Sequence, residues 1–229
     1  MIKLGLPSKG RLQAACFDWF AARGVEIEKA AEGREYSGRI IGADDVELQL
    51  LSAAEIPREL AAGRIHLGVT GEDLIREEIP GWDQKVRIAD RLGFGFADLI
   101  VAVPNVWLDV DSMHDLDAAC AAFRRAHGQR LRIATKYHNL ARTFLEAQGV
   151  ADYRLVDSQG ATEAAPLNLT AEAIIDITST GETLQANHLK ILSDGLILKS
   201  EATLCVSKTA PGGQGASNGF LKRLGLQSG

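Results

Sequence analysis

Hydrophobic and polar positions along this chain fall into short blocks whose period keeps switching between that of a strand and that of a helix. Residues 2–6 form an apolar run of strand length, and 12–22 then place apolar positions at helical spacing before Gly24. Downstream, 46–51 alternates with period two, 55–62 is helical and stops at Gly63, 65–70 reads as a buried strand, and 72–78 is helical. Further strands are expected at 99–103 and 131–134. Helices are expected at 112–127 and 139–148, each followed by a glycine where helices end in a left-handed residue. The apolar stretch from Ala173 ends in Asp176 and turns through Thr178, Ser179, Thr180 and Gly181 into another helical segment. Residues 190–197 and 202–206 read as two strands with no full helix after them. The glycine-rich tail, 209–229, is expected to be partly mobile. Repeated apolar strands separated by helices predict an α/β architecture with mainly parallel mixed sheets.

In open α/β sheets ligands bind beyond the carboxyl ends of the strands, so the strand-to-helix junctions are the candidate sites. The junction at 173–184 is the most informative. Unpaired amides and the helix dipole draw anions to a helix N-terminus, and here Ser179, Thr180, Gly181 and Thr183 surround it. Asp176 repels a phosphate and suits a sugar hydroxyl or a magnesium ion, and Glu163 shares that chemistry. Together they point to a phosphorylated sugar, with its phosphate in the loop and its ribose near the acid. A helix cap from Ser179 or Thr180 accounts for the same residues equally well. Lys9 and Arg11 flank Gly10 directly after the first strand and suit pyrophosphate, or are two solvated charges. Thr70, Gly71 and Asp73 read either as a capping box or as amides open to a nucleotide. Beyond 131–134, Lys136 suits pyrophosphate and Tyr137 packing. His138 is expected to be exposed and without a catalytic role. Asp157, before the 158–166 stretch, is as much a surface acid as a ligand.

Composition narrows the class. Hydrophobic residues make up 46% and charged residues 24% of 229 positions, an ordinary globular balance. A net charge of −5 argues against broad nucleic-acid binding. No apolar run approaches the roughly 18 residues of a membrane span. The N-terminus starts as a strand without the apolar core of a secretory signal, so a cytoplasmic location is expected. Cys16, Cys120 and Cys205 stand far apart and read as reduced, buried thiols. The GxxxxGK[ST] and GxGxxG patterns are missing from the sequence. Chemistry by positioning and electrostatics is therefore expected, not covalent catalysis.

Several segments in order resemble one family, the ATP phosphoribosyltransferases. They are LPSKGRL, AEIPRELAAGRIHLGVTGEDL, RLGFG, RIATKY, and ATEAAP followed by IIDITSTGETLQAN. The resemblance implies transfer of the phosphoribosyl group of phosphoribosyl pyrophosphate to N1 of ATP, with Mg²⁺ carried mainly by the substrate phosphates. It implies a two-lobed fold similar to type II periplasmic binding proteins, with lobe one at 1–92 plus 186–208 and lobe two at 93–185. Glu163, Asp176, Ser179, Thr180, Gly181, Thr183 and Leu184 would bind phosphoribosyl pyrophosphate. Lys9, Gly10, Arg11, Thr70, Gly71 and Asp73 would bind the nucleotide, with Lys9 and Arg11 as electrostatic contributors to catalysis. The chain resembles the short form, which implies a homodimer within a hetero-oligomer and a regulatory subunit related to histidyl-tRNA synthetase. Departures stand at Leu51 to Glu55 and at Ala97-Asp98, so adenine contacts are not carried over. The rival expectations are a non-catalytic two-lobed binding module and a phosphoribosyltransferase for another base.

Overall fold

The computed structural model describes residues 1–29, 37–158 and 160–227. Gln159, in the stretch before the candidate loop, and the last two residues of the tail lie outside the described residues. The chain divides into two compact units, Met1–Phe96 with Ser200–Gly229, and Ala97–Lys199.

The first unit opens with β1 (Ile2–Pro7), α1 (Gly10–Ala21), β2 (Ile27–Lys29), β3 (Ser37–Ile40) and β4 (Val46–Leu51). It continues through α2 (Glu55–Ala61), β5 (Leu67–Gly71), α3 (Glu72–Glu78), α4 (Trp82–Lys85) and β6 (Val86–Arg91). The second unit holds β7 (Ala97–Pro104), α5 (Met113–His127), β8 (Leu131–Thr135), α6 (His138–Ala147) and β9 (Tyr153–Asp157). A 3-10 turn at Thr162–Ala164, β10 (Ala173–Thr178), α7 (Glu182–Ala186) and β11 (Leu189–Ser200) complete it. The chain returns to the first unit with β12 (Ala202–Ser207), α8 (Gly213–Ala216) and α9 (Asn218–Arg223).

Among the described residues, one sheet runs β2-β3-β4-β1-β5-β12-β6 and the other β11-β7-β10-β8-β9. Both are mixed. Parallel pairing joins β4-β1-β5 and β10-β8-β9, while β3 pairs antiparallel with β2 and β4, β12 with β5 and β6, and β10 with β7. The expectation of mainly parallel sheets holds only for these segments. β3 and β12 in the first sheet and β7 in the second run against these strands.

The first sheet is buried on both faces, which explains strands that read as near-continuous apolar runs. Leu4 and Leu6 of β1 join Cys16, Trp19 and Phe20 of α1 and Phe220 and Leu221 of α9 in one cluster. Each such buried side chain contributes roughly 1.5–3 kcal/mol. Gly5 and Gly68 point to the other face, where Ile56, Leu60, Ile65 and Ile75 pack. A Cβ on Gly68 would stand 2.6 Å from Ile56 Cγ2, and one on Gly5 2.7 Å from Ile65 Cδ1. Glycine at these two strand positions is what lets α2 lie against the sheet. The second unit has its own core of Ile100, Ala102, Ala134, Ile174, Leu184 and Leu189.

Local signals were sound where side chains close on themselves. The Ser112 hydroxyl accepts from the Asp115 amide, the Asp115 carboxylate accepts from the Ser112 amide, and Gly128 (φ 68°) ends α5. β2, β6 and β9 escaped the pattern because their runs are short or interrupted by charge, as in YRLVD. The lobe boundary expected at 186 is drawn differently. β11 lies beside β7 in the second sheet, so the second unit extends to Lys199. The tail expected to be partly mobile carries α8 and α9, with Phe220 and Leu221 fully buried. All three cysteines are free and buried, and burial pushes each thiol up to about 12. Among the described residues, no helix is long and apolar enough to cross a membrane.

Candidate functional site

Register aligns three strand ends in the second unit. Ile175 of β10 pairs with Thr135 of β8, and Thr135 pairs with Asp157 of β9. One residue further along each strand stand Asp176, Lys136 and Ser158. The sheet therefore delivers a carboxylate, a cation and a hydroxyl side by side.

Asp176 Oδ1 accepts the Ile177 amide at 2.9 Å. Burial raises its pKa above the usual carboxylate value. Hydrogen bonds from the Ile177 amide and the Thr162 hydroxyl and the charge of Lys136 act in the opposite sense, and Glu163 adds to the rise. Thr162 is fully buried, with its hydroxyl 2.9 Å from Ser158 Oγ. Lys136 is exposed and donates to the Gly160 carbonyl at 2.9 Å. Among the described residues, no three His, Cys, Asp or Glu side chains gather as a metal site. The two acids Asp176 and Glu163 fit a magnesium ion whose other oxygens come from substrate phosphates.

The loop after Asp176 is built from its own hydroxyls. The Gly181 amide donates to Thr178 Oγ1 at 2.9 Å, and the Glu182 amide reaches Thr180 Oγ1 at 3.4 Å. Gly181 itself is the N-cap of α7, at φ 78° and ψ −3°, so neither Ser179 nor Thr180 caps the helix. That left-handed conformation favours glycine over any residue with a Cβ. Ser179, Thr180 and Thr183 are exposed. The Leu184 side chain is buried in the unit's core. Tyr137 is a buried packing residue. His138, expected to be exposed, is partly buried with Nε2 3.3 Å from Asp157 Oδ1, tying the start of α6 to the end of β9.

In the first unit Lys9, Gly10 and Arg11 are exposed where β1 turns into α1. Lys9 is the N-cap in extended backbone without a side-chain cap, and no acid occupies the first turn. Two cations at an uncapped helix start suit an anion. The junction after β5 differs. Thr70 is fully buried and its hydroxyl donates to the Ala53 carbonyl at 2.8 Å. The N-cap of α3 is Gly71, and the Asp73 amide donates to Ser200 Oγ at 3.0 Å while that hydroxyl donates to Asp73 Oδ1 at 2.7 Å. The capping box expected from Thr70 and Asp73 is therefore not formed, because Ser200 takes the hydroxyl's part from 127 residues away. Glu72 is 2% exposed between Arg76 and Arg91. Just before α2, Ser52 and Glu55 exchange hydrogen bonds of 2.9 and 3.3 Å in an S-x-x-E pattern that the sequence analysis did not single out. Ser158 and Thr162 were also missed as partners of the acid. Their signal was two hydroxyls flanking a glycine beside Glu163.

A family model described as "HisG: ATP phosphoribosyltransferase" matches residues 52–224. The chain belongs to the ATP phosphoribosyltransferase family. An ATP phosphoribosyltransferase of Cereibacter sphaeroides is 62% identical over 228 residues, covering 100% of this chain and 96% of that protein. Among solved structures, the ATP phosphoribosyl transferase (HisG:HisZ) complex from Thermotoga maritima aligns with a TM-score of 0.74 at 23% identity, covering 98% of this chain and 97% of that one. An ABC-transporter choline binding protein in complex with choline aligns at a TM-score of 0.52 and 13% identity, covering 90% of this chain and 71% of that one. These two likenesses are of fold, and they bear out the expected two-lobed α/β class. The family model spans both the Thr70–Asp73 junction and the Asp176–Gly181 loop. Lys9 and Arg11 fall before it but within the Cereibacter alignment.

Proposed function

We propose that this chain transfers the phosphoribosyl group of phosphoribosyl pyrophosphate to N1 of ATP, giving N1-(5-phosphoribosyl)-ATP and pyrophosphate, the first step of histidine biosynthesis. The observation that carries the reading is the end of β10. There a half-buried acid is followed by exposed hydroxyls around a left-handed glycine at a helix start, in a chain of this family. In this reading Ser179, Thr180, Thr183 and the Leu184 amide hold the 5′-phosphate around Gly181, whose own amide is bonded to Thr178. Asp176 and Glu163 accept from the ribose hydroxyls. Lys9, Gly10 and Arg11 meet the phosphate charge of the nucleotide and the departing pyrophosphate. Thr70 and Asp73 are bonded inward, Asp73 through its amide as well as its side chain, so of this junction only Gly71 is left to meet the nucleotide.

Displacing pyrophosphate from a ribose carbon builds positive charge on the sugar and negative charge on the leaving oxygens. Magnesium bound to the phosphates supplies neutralisation of that negative charge. Adenine N1 carries no proton to remove before attack, so orientation of the two substrates and fixed charge are what this chain contributes. The reading includes the short form acting in the cytoplasm as a homodimer within a hetero-oligomer, with a regulatory subunit related to histidyl-tRNA synthetase. The near-equal length of the Cereibacter relative and the HisG:HisZ composition of the Thermotoga complex support it.

Mass-spectrometric detection of phosphoribosyl-ATP from ATP, phosphoribosyl pyrophosphate and Mg²⁺ tests the reading, with the chain alone and with that subunit. Product that rises with the subunit is expected. Tight phosphoribosyl pyrophosphate binding without product in either mixture would turn the assignment to another acceptor base or to a binding module.

A further inference from the structure

We infer that Thr162 is a positioning residue: with Ser158 it forms a buried hydroxyl strut that orients the Asp176 carboxylate toward the ribose. The inference rests on the phosphoribosyl reading of this loop. β8 lies between β9 and β10 in the sheet. The 3-10 turn carrying Thr162 packs on β10, so its side chain spans from Ser158, just past β9, to Asp176 on β10.

The direction of the strut follows from counting protons. A threonine hydroxyl has one proton to give, and Thr162 gives it to the Asp176 carboxylate. Ser158, 2.9 Å away, must then be the donor to Thr162. The order is Ser158 to Thr162 to Asp176. Thr162 is fully buried, so water offers its hydroxyl no replacement partner. The Ile177 amide fills a second acceptor position of the carboxylate. About four such positions exist on a carboxylate, which leaves the remainder for two neighbouring sugar hydroxyls. The terminal torsion of an aspartate is broad, so without Thr162 the Ile177 amide alone would hold the plane of the group.

The full chain, assayed with its regulatory subunit, is compared with T162V, T162S and S158A. The readouts are kcat, the KM for each substrate, melting temperature, and calorimetric binding of phosphoribosyl pyrophosphate with Mg²⁺. T162V should raise the KM for phosphoribosyl pyrophosphate about tenfold, the scale of one hydrogen bond to a charged group, while the KM for ATP stays within about twofold. T162S should restore it, and S158A should show a smaller rise of about threefold. An unchanged KM for phosphoribosyl pyrophosphate in an active T162V would overturn the strut. So would a T162S that fails alongside T162V with an equally lowered melting temperature, since packing would then explain both. If the wild type binds phosphoribosyl pyrophosphate yet forms no product, the transferase reading falls and calorimetry decides the strut. Lost affinity in T162V supports it, and unchanged affinity overturns it.

Discussion

Thr70-Gly71-Glu72-Asp73-Leu74 after β5 and Thr180-Gly181-Glu182-Thr183-Leu184 after β10 are nearly the same local sequence at the same kind of junction, yet the two have opposite fates. In the first, Thr70 and Glu72 are buried, Gly71 is extended (φ −69°, ψ 142°), and Asp73 is locked to Ser200. In the second, Thr180, Glu182 and Thr183 are exposed and Gly181 is left-handed (φ 78°). The difference lies in what the rest of the chain supplies. Glu72 finds Arg76 one turn along its helix and Arg91 on β6, whereas the position one turn beyond Glu182 is Ala186. Ser200, where the chain returns to the first unit, closes the first junction. A junction whose polar groups are all matched internally is structural, and one whose hydroxyl side chains stay exposed is free to hold a ligand.

The largest expected contrast is between the two glutamates. E72A should lower stability by about 3 kcal/mol, the scale for removing one partner of a buried ion pair whose arginines stay partly hydrated. E182A should stay within about 0.5 kcal/mol, as for an ordinary surface change. Urea denaturation of both variants measures this, and equal losses would end the comparison. Next come the threonines. T180A or T183A should weaken phosphoribosyl pyrophosphate binding by about 1–2 kcal/mol with the melting temperature kept. T70V should instead destabilise the fold by about 1–2 kcal/mol through the unpaired Ala53 carbonyl. Calorimetry and melting curves separate the two, and a T180A that melts early while binding normally would make its loop structural as well. The glycines sharpen the contrast further. G181A should lower stability by about 1 kcal/mol through its backbone alone, because a Cβ there has open space around it. G71A carries no such backbone penalty but brings a Cβ to 2.2 Å from Asp73 Oδ1, so its loss should vanish when combined with D73A.

The smallest effect is one of pH. Burial raises the pKa of Asp176, so the folded state favours its neutral form. That contribution to stability is fully present below the unfolded carboxyl value of 3.8 and is lost as pH rises through the raised folded value. D176N should therefore be at least as stable as the wild type at neutral pH, with the advantage gone below pH 3.8, while losing phosphoribosyl pyrophosphate binding. Glu172 has the opposite sign. Burial pushes it up, but its hydrogen bonds to Arg132 and that residue's charge bring it below the usual value. Its contribution is present above the unfolded carboxyl range and lost as pH falls through the lowered value, so E172Q should flatten the acid side of the stability profile. Melting temperatures across pH 3 to 8 check both signs.

Much was legible in the order of residues because it depends on groups close along the chain. Alternating periods marked β1, β4, β5, β7, β8 and β10 and the long helices, since burial of one face follows the local repeat. Gly128 announced the end of α5, because a helix stop is completed within a few residues. The hydroxyl-rich loop after Asp176 was visible for the same reason. Tertiary structure alone decided where partners come from afar. Thr70 and Asp73 could not be told from ligand residues until Ala53 and Ser200 appeared beside them. Thr162 could not be tied to Asp176 until β9, β8 and β10 came into register. The tail read as partly mobile until α9 set Phe220 and Leu221 into the core with Phe20. Local sequence specifies which groups are offered, and the packing of distant segments decides which of them are already taken.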